Sequence, residues 1–182
     1  MQRKLAAGVW AGLLLAIASV PARAQISAQA FISEQQLAPG NYEYSLTLSN
    51  TGSTPIGTFW VGWIPLYDML DVIPGNVRSP GGWTGADAGD YFGVGSVQWT
   101  TTSGLQPGES LSGFSFDTSE SDIMTGTSYF NLPKDTSYVY IGAPETDPGM
   151  SLTPAIVPTP EPASLSLLLL PAAALLIRRK RA

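Results

Sequence analysis

Four tryptophans stand between residues 25 and 162, at positions 60, 63, 83 and 99, with tyrosines at 42, 44, 67, 91, 129, 138 and 140. Sugars present apolar C–H faces that stack on flat rings, so exposed members of this set offer a route to glycan contact. Core packing is the competing use of such large side chains. Alternation along Gly-Thr-Phe-Trp-Val-Gly-Trp (57–63) groups Phe59, Val61 and Trp63 on one face, which marks them as core. Trp60 points the other way, and Trp83 lies in the glycine-rich segment Pro-Gly-Gly-Trp-Thr-Gly (80–85). Trp60 and Trp83 are therefore the candidates for glycan contact.

Other chemistry is narrower. The chain has no histidine and no cysteine. That removes Ser-His-Asp and Cys-His nucleophilic sites, the usual zinc sites and any disulfide. No catalytic residue, metal ligand or cofactor is assigned. The acids of Asp-Ala-Gly-Asp (87–90) and of 117–122 form loop clusters in which calcium or solvated turn carboxylates are the two readings. A carboxylate pair could hydrolyse glycosides, but nothing in the sequence selects one. A non-catalytic role is expected.

The elements that must position these residues are short strands. In Tyr-Glu-Tyr-Ser-Leu-Thr-Leu-Ser (42–49), Tyr42, Tyr44, Leu46 and Leu48 share one face and polar residues the other. Asn-Thr-Gly-Ser-Thr-Pro (50–55) and Leu-Gln-Pro-Gly-Glu-Ser (105–110) read as turns. Further strands are expected over 26–32, 57–63, 82–84, 96–101, 110–117 and 136–141, with 65–80 a long irregular loop. About seven strands without helical periodicity predict an all-β, antiparallel β-sandwich over 25–150.

Both ends read differently from this body. A basic start (1–4), an apolar stretch (5–20) and the small residues Ala22 and Ala24 before Gln25 predict a signal helix over 1–24, cleaved at that point. At the other end, a proline-rich linker (151–162) closes on Pro160, Glu161 and Pro162. An apolar run (163–177) and the cations Arg178, Arg179, Lys180 and Arg181 follow, in a basic tail over 178–182. As a transmembrane helix those 15 residues would reach about 22 Å, short of a hydrocarbon core of about 30 Å. The span is marginal, and its basic cluster should stay cytoplasmic.

These three parts in order resemble the PEP-CTERM sorting signal of Gram-negative bacteria. The resemblance covers only 157–182. It implies recognition and cleavage by an exosortase, transient anchoring in the inner membrane, and a destination at the cell surface or exopolysaccharide matrix. The body segments 46–52 and 105–116 resemble immunoglobulin-like modules of bacterial surface proteins, a likeness that speaks to fold and is silent on activity. Leu-Pro-Lys-Asp-Thr (132–136) fails the Gram-positive sortase pattern, because Asp135 and Thr136 stand where Thr and Gly belong.

Removing both ends changes the electrostatics. All 14 acids lie within 25–162, but only Arg78 and Lys134 remain of nine cations, so the net charge moves from −5 to −12. Such a field opposes nucleic acid and anionic lipid, since phosphate contacts need cations. The partners expected are the exosortase, the membrane transiently, and extracellular polysaccharide.

Overall fold

The computed structural model describes residues 25–89, 93–142 and 147–157. The signal segment with Ala22 and Ala24, the motif Pro160-Glu161-Pro162, the 163–177 run, the basic cluster Arg178, Arg179, Lys180 and Arg181, and Asp90 lie outside the described residues.

The described chain is all strand and turn: β1 (Ala28–Ala38), β2 (Asn41–Asn50), β3 (Ile56–Val61), β4 (Trp63–Ile64), β5 (Tyr67–Asp68), β6 (Gly75–Arg78), β7 (Thr84–Gly89), β8 (Gly95–Leu105), β9 (Ser110–Thr118), β10 (Ser137–Tyr140), β11 (Gly149–Leu152) and β12 (Ala155–Ile156). One five-stranded sheet runs β12-β1-β2-β9-β6, a second runs β11-β10-β3-β8-β7, and β4-β5 form a separate ribbon. Every pairing is antiparallel except β1 with β12.

This sandwich has more strands than the seven expected. The 65–80 segment, expected to be a loop, contains β5 and β6. β7, Thr-Gly-Ala-Asp-Ala-Gly, has almost no apolar signal, yet as an edge strand it needs only its backbone to pair with β8. Residues 151–157, expected to be linker, belong to the sandwich: Leu152 pairs with Ser137, Ile156 pairs with Ile32, and the Val157 N–H donates to the Ile32 carbonyl at 2.8 Å.

Alternation fills the space between the sheets. Ala30 and Ile32 of β1, Tyr44, Leu46 and Leu48 of β2, Phe59 and Val61 of β3, Val97 and Trp99 of β8, and Phe114 and Phe116 of β9 form one core. Aromatic contacts carry its centre: Phe59 stacks on Trp99 at 5.6 Å, and Phe114 meets Trp99 edge-on at 5.4 Å. The buried Trp99 indole donates to the Arg78 carbonyl at 2.9 Å, so its polar atom is satisfied. A bulge at Gly113 (φ +98°) shifts the β2–β9 register between Leu46 and Thr47. That one extra residue lets both Leu111 and Phe114 pack against the core.

The expected turn at 50–55 is held by Asn50, itself buried. Its amide donates to the carbonyls of Thr54 and Leu105, each at 2.8 Å, while its side-chain oxygen accepts from the Gly52 N–H. One side chain thereby joins the two predicted turns.

Candidate functional site

The structure separates the two tryptophans singled out from sequence. Trp60 does point away from Phe59 and Val61, but it is 9% exposed, not open to solvent. Its cover is Trp63, stacked on it at 4.6 Å and 16°, with Tyr138 and Tyr140 edge-on to Trp63. This corrects the grouping of Trp63 with the main core. Gly62 takes φ +65°, which turns the chain over and puts consecutive aromatic positions of β3 and β4 on the same outer face. The result is a second small core on the outside of the second sheet. The Trp60 indole nitrogen is buried without a hydrogen-bond partner among the described residues.

Trp83 is half-buried. A turn sets it, with its N–H donating to the Pro80 carbonyl at 3.1 Å, and its ring meets Phe114 edge-on at 5.2 Å. Its remaining surface walls a shallow groove of about 390 Å³ with Ser103, Glu109 and Ser110. A larger groove of about 500 Å³ crosses the outer face of the first sheet, lined by Phe31, Ser33, Ser45, Thr47 and Ser112. At its end Arg78 reaches Glu43 at 2.6 Å and Asp117 at 3.1 Å, and Asn76 also donates to Asp117 at 2.9 Å. A hydrolytic pair needs one carboxyl placed as proton donor. The guanidinium between Glu43 and Asp117 leaves neither in that position.

The acids at 117–122 are not left to solvent alone: each is paired with a cationic side chain. Asp117 belongs to Arg78, and Glu120 and Asp122 gather with Asp71 around the Lys134 ammonium at 3.2, 2.9 and 2.6 Å. Lys134 is itself 3% exposed. The position a cation would take is filled by a side chain, and among the described residues no group of three or more acids, histidines or cysteines is arranged for a metal.

Burial opposes the Lys134 charge, but the hydrogen bonds its ammonium donates to Asp71, Asp122 and Glu120 outweigh that and raise its pKa. Burial also raises Glu120, against the pull of Lys134. The Lys134 direction follows from three carboxylates around one ammonium, whereas Glu120 is raised chiefly by its burial, with Asp71 adding to it. Next to it Asp135 is buried, and burial pushes its carboxyl up to about 6, opposed only by its own backbone N–H.

The cluster ties two segments together. Glu120 also accepts the Val72 N–H at 2.8 Å, and its carbonyl lies 3.0 Å from the Tyr44 hydroxyl. Thus the 64–73 segment and the 119–136 loop are held at their roots.

Their tips carry what the sequence reading missed. Tyr67 on β5 lies 4.7 Å from Phe130, and Tyr129 meets Phe130 edge-on at 5.6 Å. Tyr129 is 90% exposed, and Tyr67, Phe130, Leu66 and Leu132 are exposed with it. No periodicity marks these residues. The available signal was an aromatic pair, Tyr129-Phe130, directly followed by Asn131 in a turn.

No protein-family model matches the chain, and no curated protein matches it. Among solved structures the chain is similar to a GH20 exo-β-N-acetylglucosaminidase from Vibrio harveyi, at 8% identity and TM-score 0.44, over 74% of this chain. It spans only 19% of that enzyme's length. It is also similar to a CBM3 of Hungateiclostridium clariflavum, at 10% identity and TM-score 0.41, covering 65% of this chain and 99% of that one. A biomass-sensing module from Clostridium thermocellum, described as resembling a family 3 carbohydrate-binding module, matches at 14% identity and TM-score 0.36, over 71% and 89%. Carbohydrate-binding modules are thus among its structural neighbours. None of these reaches a TM-score of 0.5, so they assign no role to any residue here.

Proposed function

We propose that this chain is a non-catalytic, immunoglobulin-like β-sandwich that is exported, sorted through the PEP-CTERM route and left at the cell surface or in an exopolysaccharide matrix. The observation that carries the reading is the succession in sequence of Pro160-Glu161-Pro162, an apolar run and Arg-Arg-Lys-Arg (178–181), joined to a body lacking histidine and cysteine. The pairing of β1-β2-β9 against β10-β3-β8 supports the immunoglobulin-like grouping. Gln25, the expected first mature residue, already donates its backbone N–H to Ser53 at 3.0 Å, which suits cleavage just before it. Mass spectrometry of the mature protein from its producing cell tests the route. The expected N-terminus is Gln25 and the expected C-terminus falls at the Pro-Glu-Pro motif. An intact Arg-rich terminus on the exported protein would overturn it.

A second reading, binding of extracellular polysaccharide, is favoured by one specific observation: aromatic rings stand exposed and in mutual contact at two loop tips. Apolar clusters of this kind on a soluble surface mark contact sites. Retention of the protein on immobilised polysaccharide is the direct test.

A further inference from the structure

We propose that Tyr67, Tyr129 and Phe130 form the contact site for a single, uncharged glycan chain. The proposal rests on the polysaccharide-binding reading and names its site and ligand class.

Both tips are built structures. β4 and β5 pair Trp63 with Asp68 and Ile64 with Tyr67, and Leu66 at the turn takes φ +78°. A bulky residue in that left-handed region is a strained conformation, held only where surrounding structure dictates it. In the facing loop the Ser128 N–H donates to the Leu132 carbonyl at 2.8 Å, and the Asn131 N–H donates back to Ser128 at 3.0 Å. Asn131 takes φ +58°, and the Phe130 N–H donates to the Ser128 hydroxyl at 3.3 Å. Tyr129 and Phe130 are therefore the central residues of a closed turn. Below both tips Lys134 pins Asp71 to Asp122. Rings held outward before a ligand arrives lose little entropy on binding it.

Charge selects among polymers. Arg78 and Lys134 are the only cations of the body, and both are engaged by carboxylates. No cation remains for uronates, sulfates or phosphates, and a net charge of −12 over 25–162 repels them. Asp71 and Asp122, the carboxylates that hold Lys134 at the root of the tips, keep side chains that are 56% and 50% exposed. Carboxylates accept hydrogen bonds from hydroxyl groups without needing an opposite charge. A neutral polyol supplies those donors, and the rings take its C–H faces.

Ring geometry selects the ligand's form. Tyr67 and Phe130 are inclined by 54°, and Tyr129 and Phe130 by 86°. Rings so tilted do not make one plane, so a flat crystalline surface cannot stack face-on against all three. A single flexible chain can turn from one ring to the next.

Native affinity electrophoresis with hydroxyethyl cellulose, dextran and alginate in the gel tests this. It uses the full-length protein in a non-glycosidic detergent, with the seven cations outside 25–162 changed to Gln so that the basic ends cannot hold alginate. Hydroxyethyl cellulose or dextran should retard the protein and alginate should not. The triple change Tyr67→Ala, Tyr129→Ala, Phe130→Ala should reduce retardation at least tenfold, and Trp83→Ala should leave it unchanged. Circular dichroism checks that each variant stays folded, and Tyr129→Ala alone, at the most exposed ring, should still weaken binding if the triple variant unfolds. Retardation that survives the ring changes but is lost in Trp83→Ala overturns this site while the glycan reading stands. Retardation by alginate equal to that by the neutral gels overturns the ligand class. No retardation in any gel overturns the glycan reading itself, and dimerisation abolished by the triple change would identify a second copy as the occupant instead.

Discussion

Two aromatic clusters of this protein meet opposite fates. On the outer face of the second sheet, Trp60, Trp63 and Tyr140 bury one another almost completely. At the loop tips, Tyr67, Tyr129 and Phe130 touch one another and remain open to solvent. Ring–ring contact is common to both, so it does not decide exposure. What differs is the backbone beneath. Strands β3 and β10 and the turned-back β4 bring rings over a broad sheet face in the first case, whereas two narrow turns give the second no floor to cover. The first cluster extends the core and the second is a surface feature held by polar anchoring below it.

The anchor is where the contrast breaks most severely. Lys134→Met leaves Glu120 buried without its cation, and removing one partner of such a group should cost about 3–5 kcal/mol. Urea denaturation measures it. The expected accompaniment is loss of protease resistance first at the 119–136 loop. A loss below about 1 kcal/mol would mean that the cluster does not hold the tips.

Next comes the comparison of rings. Trp63→Ala removes the lid over Trp60 and should destabilise by about 2–4 kcal/mol, in line with large-to-small core changes. Tyr129→Ala should stay within about 0.5 kcal/mol, as exposed positions do. Equal effects at the two sites would erase the distinction between core and surface cluster.

Acidity sharpens the picture of the anchor region. Asp135 rises from an ordinary 3.8 to about 6 in the folded protein, so the folded state binds its proton more tightly than the unfolded one. Its contribution therefore favours folding most below about pH 4 and declines as pH climbs to about 6, then stays low. Asp135→Asn should flatten that decline and stabilise the protein at pH 7 by about 1–3 kcal/mol. Denaturation midpoints across pH 4–8 for both proteins check the sign, and a variant less stable at pH 7 would contradict it.

Much of the framework was legible in the sequence. The alternation of Tyr44, Leu46 and Leu48, and the turns around Asn50 and Pro107, lie where the sandwich has them. The weak points have separate causes. β6, β7 and β12 have little apolar signal, because strands at sheet edges are specified by the neighbour they pair with. Trp63 was assigned to the wrong layer, because one glycine at φ +65° cancels a period-2 argument from that point on. The 117–122 acids looked like solvated turns, since Lys134 and Asp71 approach them only in three dimensions.

By itself, then, the sequence determined the all-β class, the inward faces of the longest strands, the absence of histidine and cysteine chemistry, and the net charge of −12 between 25 and 162. Tertiary structure decided which aromatics are covered, which carboxylates have a cation, and where a glycan would find open rings. The physical reason is that alternation tells which side of a strand a residue faces. Whether anything lies on that side depends on segments far away in the chain.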